Sequence, residues 1–200
     1  MRLTAENLRA ERGGETIFAG ISFALGKGEA LIVTGPNGVG KTTLLRVVSG
    51  LLPAASGSVA LEGSADRALS AQCHFLGPLN AMKSALSVNE NLAFWQGFCG
   101  APRLGVEEAL TAVGLPGLGA TPFAYLSTGQ MRRIAIARLL ISHRPVWLLD
   151  EPSNGLDTKA QAMLARLLQS HLNEGGIIIA ATHVPLGLRG AQELKMGSVE

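Results

Sequence analysis

Residues 35–43 read GPNGVGKTT and fit the pattern G-x-x-x-x-G-K-[ST]. The preceding run, EALIVT, is apolar and typical of a short strand, and the following run, LLRVVSG, is typical of a helix that ends at Gly50. A glycine-rich loop between a strand and a helix restricts the chain to few architectures. This order, repeated around later motifs, predicts an α/β fold with a mostly parallel sheet covered on both faces.

The composition of this loop predicts a binding site for the phosphates of a nucleotide. Its glycines let backbone N–H groups point inward, and the helix N-terminus adds a partial positive charge. Lys41 supplies a full charge for the β- and γ-phosphates, and the Thr42 hydroxyl is suited to ligate Mg²⁺. The alternative is a glycine-rich turn without a ligand. The expected nucleotide-binding residues of the loop are Gly35, Pro36, Asn37, Gly38, Val39, Gly40, Lys41, Thr42 and Thr43.

Composition argues against other classes of protein. Lys and Arg number 17 against 15 Asp and Glu, and a net charge of +2 does not fit a strongly electropositive nucleic-acid surface. Cys73 and Cys99 have no metal-site spacing. The first residues carry charges throughout, so we expect no secretory signal, and the longest apolar run near the end, IIIAA, is too short to span a bilayer. We expect a soluble, cytosolic chain that reaches a membrane only through a partner.

The rest of the chain alternates strand-like and helix-like segments. Several short strands are predicted before the loop, and further strands at SGSVALEG, AQCHFLG, PVWLLDE, IIIAATH and ELKM. Helices are predicted at SVNENLAFWQGF, with Ser87 and Glu90 as a capping box, and at GVEEALTAVGL and TGQMRRIAIARLLIS. A last helix, TKAQAMLARLLQSHLNEGG, has Asp157 as its expected N-cap. The early strands and the mid-chain helices are expected to form two lobes beside the parallel sheet.

The run VWLLDE places two carboxylates after four apolar residues. A buried strand of this sequence would carry Asp150 to its C-terminal end, beside the phosphate loop of a parallel sheet. There Asp150 could hold Mg²⁺, directly or through water, and Glu151 could act as general base toward an attacking water. The alternative is a strand that ends in a solvated acidic turn.

A second segment with anion-binding chemistry, LSTGQ at residues 126–130, precedes the helix-like run MRRIAIARLL. Ser127 and the backbone N–H of Gly129 would lie at the positive end of that helix. One nucleotide cannot easily reach two helix starts from opposite lobes. We therefore expect a head-to-tail pair of chains, in which LSTGQ of one covers the nucleotide of the other. The alternative is an ordinary Ser-capped helix.

A histidine, His183, ends the strand-like run IIIAATH, where it could touch the γ-phosphate, orient the water, or have no role. In this order the phosphate loop, LSTGQ, LLDE, SNGLD and ATH resemble the nucleotide-binding subunits of ATP-binding cassette (ABC) transporters, over about residues 3–196. LSTGQ resembles that family's LSGGQ signature. The resemblance implies that SNGLD, with Asp157, is the D-loop and that His183 is the switch histidine. It also implies that a dimer holds two ATP molecules, contacted by Ser127, Gly129 and Gln130 of the signature.

The same resemblance implies a particular division of the chain. The fold would be a P-loop NTPase (RecA-like) core with an antiparallel β subdomain and an α-helical signature subdomain. Residues 1–200 would form one ATP-binding domain. In it, residues 1–77 and 145–200 would supply the β subdomain and the core, and residues 78–144 the helical subdomain.

Longer segments narrow the resemblance within the ABC family. NAMKSALSVNENLAFW, LSTGQMRRIAIARLLIS, WLLDEPSNGLD and ATHVPLGL resemble the ATP-binding subunits of the haem exporter of bacterial cytochrome c maturation. This implies an ATPase at the cytoplasmic face of the inner membrane, paired with a CcmB-like membrane subunit and acting with CcmC-, CcmD- and CcmE-like proteins. No direct haem binding and no nucleic-acid partner are expected.

Other functions remain as alternatives. The chain could serve an exporter of another substrate. A soluble ABC ATPase of DNA repair or translation usually carries coiled-coil insertions or two fused cassettes, for which 200 residues leave no room. A P-loop nucleotide kinase would explain GPNGVGKTT but would leave LSTGQ and SNGLD without a role.

Two positions depart from the ABC pattern. Arg12 stands about where most members place an aromatic residue against adenine. Its planar guanidinium could stack instead, worth about 0.5–2 kcal/mol, or be a solvated charge beside Gly13 and Gly14. The Q-loop glutamine is absent, and Pro78, which can neither ligate Mg²⁺ nor bond the attacking water, aligns there.

Two other groups of residues have open interpretations. Alternation in AQCHFLG puts either Cys73 or His74 on the core face, and cysteine is the more often buried residue, so we expect packing rather than a haem ligand. Trp95 and Phe98, at helical spacing, belong either to the core or to a patch that faces a partner, and we favour the patch.

Overall fold

The computed structural model describes residues 1–63 and 68–197 of the chain. Within these residues it contains eight strands, β1 (Arg2–Arg12), β2 (Glu15–Gly26), β3 (Ala30–Thr34), β4 (Ser56–Glu62), β5 (Cys73–Leu76), β6 (Val146–Asp150), β7 (Ile177–Ala181) and β8 (Gln192–Lys195). The same residues contain five α-helices, α1 (Lys41–Val48), α2 (Val88–Cys99), α3 (Val106–Ala112), α4 (Thr128–Leu140) and α5 (Thr158–Asn173). Two 3₁₀ helices span Leu69–Gln72 and Phe123–Tyr125.

The larger sheet is parallel and has the strand order β5-β6-β7-β3-β8. Its strands β6 and β7 are buried at every residue, as expected for continuous apolar runs in a sheet covered on both faces. Because parallel strands end at the same edge, the segments that follow β3, β6 and β7 leave the sheet side by side. The predicted α/β fold with a P-loop core is confirmed.

The smaller sheet is antiparallel, with the order β2-β1-β4. The sequence predicted several short strands in this region, whereas the structure has two long ones that turn at Gly13 and Gly14. The strands continue through β-bulges, and Asn7 and Gly20 adopt positive φ angles of 46° and 74° within them. A bulge admits turn-type residues without ending a strand, so such residues predict more strand ends than the structure contains.

Residues Met1–Gly77, Pro145–Pro152 and Leu168–Glu200 form one compact unit, although residues 64–67 and 198–200 lie outside the described part of the chain. Its core joins both sheets to α1, through side chains that include Leu8 and Leu25 from the small sheet and Leu44 and Val48 from the helix. Fully burying such side chains contributes about 1.5–3 kcal/mol each. This core holds the loop between β3 and α1 in place.

Residues Pro78–Arg144 and Ser153–Leu167 form the second unit, which contains α2, α3, α4 and the first part of α5. The predicted division had placed residues 145–200 together, whereas the structure groups residues 153–167 with the helical unit. Ser87 and Glu90 form the expected capping box of α2. Asp157 caps α5, since its Oδ1 atom accepts from the Ala160 backbone N–H at 2.7 Å.

The longest described helix, α5, has 16 residues, and no helix within residues 1–63 and 68–197 qualifies as a membrane span. On β5, His74 is buried, whereas Cys73 is partly exposed and packs against the hydrophobic core of the first unit. Cys73 therefore packs against the core as expected, and His74 lies on the opposite face because side chains alternate along a strand.

Candidate active site

The loop between β3 and α1 has the backbone of a phosphate cradle. Gly35, Gly38 and Gly40 adopt φ angles of 141°, 82° and 100°, which side-chain-bearing residues rarely adopt. A Cβ atom on Gly35 would collide with the backbone oxygen of Met196, and one on Gly40 would lie 2.5 Å from Ile17 Cγ2. At Gly38 a Cβ atom would meet nothing within 4 Å. The loop is therefore braced at two glycines and open at the third.

Lys41, the first residue of α1, bends its ammonium group back over this loop. Nζ donates to the carbonyl oxygens of Gly35 at 2.7 Å and Pro36 at 2.9 Å, and the residue is only 8% exposed. Two carbonyl acceptors hold the cation without neutralising its charge. It is thus a fixed positive charge beside the N-terminus of α1, where an anion is stabilised.

The residues expected to bind Mg²⁺ meet directly. The Thr42 hydroxyl donates to Asp150 Oδ2 at 2.6 Å, which links α1 to the end of β6. Asp150 is 3% exposed. A hydroxyl and a carboxylate oxygen are the hard donors that Mg²⁺ prefers, together with phosphate oxygens and water. The residues therefore fit this cation, which would neutralise phosphate charge when bound.

Glu151 has a strained backbone next to this pair. Its φ angle is 46°, an uncommon value for a residue with a side chain, and its N–H donates to Ala181 O at 2.8 Å. That bond ties the end of β6 to the end of β7. Glu151 Oε1 lies 3.5 Å from His183 Nε2. The strain turns this carboxylate toward the loop that follows β7.

The Nε2 atom of His183 lies close to one hydrogen-bond donor, an ammonium group, and to two acceptors, an amide oxygen and a carboxylate oxygen. It lies 3.1 Å from Lys41 Nζ, 3.1 Å from Asn37 Oδ1 and 3.5 Å from Glu151 Oε1. A lone pair on Nε2 accepts from the ammonium group, whereas a proton on Nε2 donates to the amide oxygen or the carboxylate. His183 therefore joins the phosphate loop to the carboxylate expected to act as base.

Arg12 lines a cleft of about 550 Å³ together with the phosphate loop. The turn after β1 places Glu15 opposite Arg12, and β2 then brings Thr16 and Ile17 to the same cleft. Ile17 is also the side chain that limits Gly40. The remaining loop residues of the cleft are Pro36, Asn37, Gly38, Val39, Gly40 and Thr43.

The second anion-binding segment lies in the helical unit, at the start of α4. Ser127 caps the helix, because its hydroxyl accepts from Gln130 N at 3.3 Å and its N–H donates to Gln130 Oε1 at 2.8 Å. A Cβ atom on Gly129 would lie 3.2 Å from the Gly155 oxygen. LSTGQ and SNGLD thus touch within one unit, beside the Asp157 cap. The expected nucleotide contacts of these residues remain predictions.

The pKa values of Glu90 and Arg138 in this unit are shifted. Hydrogen bonds from the Ser87 side chain and backbone lower the pKa of Glu90. Burial lowers the pKa of Arg138 to about 10, and its guanidinium lies 4.5 Å from the centre of the Trp95 ring. Phe94 and Phe98 on the same helix are 55% and 72% exposed. Trp95 is therefore packed, whereas its aromatic neighbours form an exposed patch.

Comparison with known proteins identifies the family. Residues 18–154 match the ABC transporter family model. The chain is 61% identical to a cytochrome c biogenesis ATP-binding export protein CcmA of Chelativorans sp., over 99% of each chain. It is 60% identical to the protein of that name from Mesorhizobium japonicum, over 98% of each chain.

The chain belongs to the CcmA family of ABC transporter ATP-binding proteins.

Solved structures agree with this membership at the level of the fold. An ABC transporter ATP-binding protein from Pyrococcus furiosus superposes with a TM-score of 0.83 at 23% identity, covering 98% of each chain. The ATP-binding subunit of another ABC transporter gives 0.82 at 21% identity, covering 92% of this chain and 80% of that one. CcmA-like ABC ATPases bind and hydrolyse ATP, so the cleft beside the phosphate loop belongs to an ATPase.

Sequence reasoning missed two contributors to the site of this CcmA-like ATPase, Ile17 and Met196, and one contact of the predicted residue Asn37. Ile17 and Met196 brace the phosphate loop, and Asn37 also contacts His183. The position of Ile17, three residues beyond the glycine turn, was a usable signal for its place beside Arg12. Met196 gave no local signal, because its contact depends on β8 pairing with β3. Pro78 follows β5 by two positions, and its correspondence to the Q-loop glutamine remains a prediction.

Proposed function

We propose that this chain is the ATP-hydrolysing subunit of a membrane ABC complex that serves cytochrome c maturation. ATP hydrolysis would power haem export or the release of a haem-loaded chaperone. The observation that carries the proposal is the likeness, over 98–99% of the chain, to proteins named cytochrome c biogenesis ATP-binding export proteins. The cluster of Lys41, Asp150, Glu151 and His183 supports the catalytic part.

In the proposed reaction, Lys41 and the N–H groups of the phosphate loop bind the β- and γ-phosphates. Thr42 and Asp150 would hold Mg²⁺, which would neutralise charge on those phosphates. Glu151 accepts a proton from the attacking water, and His183 positions the γ-phosphate while it contacts that carboxylate. The strained backbone of Glu151 supports this role, since such strain persists mainly where function uses it.

The proposed working unit is a head-to-tail homodimer that forms around ATP. Each signature segment, through Ser127, Gly129 and Gln130, would cover the nucleotide held by the other chain. Support comes from the start of α4, where backbone N–H groups and a capping serine form an anion-binding end. Asp157 of the D-loop would lie at the same interface.

The proposed partners are a CcmB-like membrane subunit with CcmC-, CcmD- and CcmE-like proteins. The proposed location is the cytoplasmic face of the bacterial inner membrane, where the chain is held through these partners. Phe94 and Phe98 on α2 support a partner-facing surface, because exposed aromatic side chains are enriched at interfaces. Arg12 is proposed to stack on adenine in the cleft that it shares with the loop.

The test uses cells whose only copy carries Glu151→Gln, compared with wild type and with Glu62→Gln, an exposed carboxylate on β4. Haem staining of membrane proteins should show no mature c-type cytochromes in the first strain and normal levels in the others. Tagged wild-type protein should co-purify with integral membrane proteins.

Full c-type cytochrome levels with ATPase activity lost would reject the maturation role. That result would leave the ABC ATPase in place and favour an exporter of another substrate. Purification of the tagged chain without any membrane protein would instead favour a soluble ABC ATPase.

A further inference from the structure

The helical unit contains a cleft of about 420 Å³ lined by cationic side chains. Its cations are Arg133 on α4 and Lys159 and Arg166 on α5. The side chains of Val113 and Met163 form an apolar part of the cleft lining. We call this feature the basic cleft; it shares no residue with the phosphate-loop cleft.

Arg133 is held in a fixed position in the basic cleft. Its Nη1 atom donates to Gly114 O at 3.1 Å and to Val113 O at 3.4 Å, at the C-terminal end of α3. Carbonyl oxygens hold the guanidinium without cancelling its charge, and its other N–H groups keep their capacity to donate. An arginine anchored on one side is organised in advance to bind an oxyanion on the other.

Lys159 and Arg166 are exposed and lie seven residues apart on α5, so they share a helix face. Neither forms an ion pair with an acidic group within residues 1–63 and 68–197. Each therefore presents an uncompensated charge to the cleft. Together with the anchored Arg133 of α4, these two side chains of α5 concentrate positive charge at one cleft.

Asp157 is the acidic residue that lines the cleft. Its Oδ1 atom is engaged with Ala160 N at 2.7 Å, as the cap of α5. Three cations against one carboxylate leave a formal excess of two positive charges. The N-terminal end of α5, a 16-residue helix, adds a partial positive charge on the same side.

We propose that the basic cleft binds a phosphate-bearing anion with at least two negative charges. An excess of two positive charges matches a phosphomonoester or pyrophosphate better than a monocarboxylate. The volume suits a small organic phosphate, and the apolar wall accommodates its carbon portion. A bound anion would join α4 to α5, which begin at the LSTGQ and SNGLD segments. The phosphate group could come from a free metabolite or from a lipid headgroup.

The test is an NMR titration of the full chain with inorganic pyrophosphate in Mg²⁺-free buffer. Backbone amide signals of residues 133 and 158–166 report on the basic cleft, and those of residues 38–43 report separately on the phosphate loop. We expect saturable shifts at the first set, with an affinity about tenfold lower in the double variant Lys159→Gln/Arg166→Gln. The matched control, Lys27→Gln/Arg46→Gln, removes two exposed cations of the other unit and should keep the wild-type affinity at residues 133 and 158–166.

Co-sedimentation with vesicles distinguishes the two sources of phosphate. Vesicles of phosphatidylglycerol in phosphatidylcholine are compared with pure phosphatidylcholine, for wild type and both double variants. Retention that needs Lys159 and Arg166, without pyrophosphate shifts, assigns the cleft to a lipid headgroup. The proposal would be overturned if the wild type showed neither pyrophosphate shifts nor vesicle retention, or if both double variants lost binding equally. Shifts confined to residues 38–43 would also overturn it, but they would leave the proposed ATP binding at the phosphate loop standing.

Discussion

The Nε2 atom of His183 lies 3.1 Å from the Nζ atom of Lys41, across 142 positions of sequence. The same nitrogen approaches Asn37 Oδ1 and Glu151 Oε1. The cation expected to bind phosphate and the carboxylate expected to take a proton are therefore connected through one imidazole ring. A substitution of Lys41 or of Glu151 therefore also changes the surroundings of His183 and, through it, those of the other residue.

Lys41→Ala is expected to abolish productive ATP binding, because the phosphates lose their main cationic partner. The variant also frees the Gly35 and Pro36 carbonyl oxygens that Lys41 now satisfies. Equilibrium binding of a fluorescent ATP analogue measures the effect, with Lys27→Ala as the control. Wild-type affinity and turnover in Lys41→Ala would reject the phosphate-loop assignment.

Glu151→Gln should slow hydrolysis by roughly 10²–10⁴-fold and leave ATP binding intact, because the amide keeps the shape but cannot accept the proton. ATP should then accumulate between paired chains. ATPase assays and size-exclusion chromatography with and without ATP measure the two effects. A variant that turns over at the wild-type rate, or one that stays monomeric with ATP bound, would contradict the proposed roles.

Arg12→Tyr should preserve or tighten nucleotide binding, because an aromatic ring offers the same stacking surface. Arg12→Ala should weaken binding by no more than about 0.5–2 kcal/mol. Nucleotide titrations that measure the affinity of both variants test whether Arg12 stacks on adenine. If both bind like wild type, Arg12 is a solvated charge at the rim of the cleft.

Asp157→Ala should lower the stability of the chain by about 1 kcal/mol, since the Ala160 N–H loses its acceptor. Asp157→Asn retains a capping oxygen and should keep most of that stability while removing the charge. Thermal unfolding of both variants beside ATPase assays separates the two roles. Loss of activity in Asp157→Asn at unchanged stability would mark a role of the carboxylate at the nucleotide interface.

The capping box of α2 predicts a pH dependence. The folded pKa of Glu90 is lowered by Ser87, so the contribution of this pair to stability is present above the ordinary pKa of a glutamate. It is lost as the pH falls through the lowered value. The difference in unfolding free energy between wild type and Ser87→Ala should therefore shrink in acid, and a constant difference would show that Glu90 does not titrate with the cap.

Much of the site was predictable because each part is local. The phosphate loop, the tip of β6 and the tip of β7 are each a short apolar run followed by polar residues, and a parallel sheet brings such tips to one edge. The contacts made by His183 were not predictable, because they depend on the loop conformation after Ala181. The strain at Glu151 was hidden for the same reason, since no sequence pattern encodes a positive φ at glutamate.

The fold was less predictable where long-range pairing sets the outcome. Nothing near LRAERGGETIFAGISF distinguishes a bulged strand from two short ones, because the partner residues in β4 lie some 50 positions away. The unit to which residues 153–167 belong was also hard to predict from the sequence. A helix pattern gives the extent of α5 but not the unit on which its first half packs.

The brace between Gly35 and Met196 has a consequence for biosynthesis. The Met196 N–H donates to Thr34 O at 2.8 Å, and its backbone oxygen closes one side of the glycine loop. During translation residues 35–41 leave the ribosome long before Met196 does. A growing chain therefore has a phosphate loop with one side open, and we expect it to take up ATP only after Met196 has emerged and paired with Thr34.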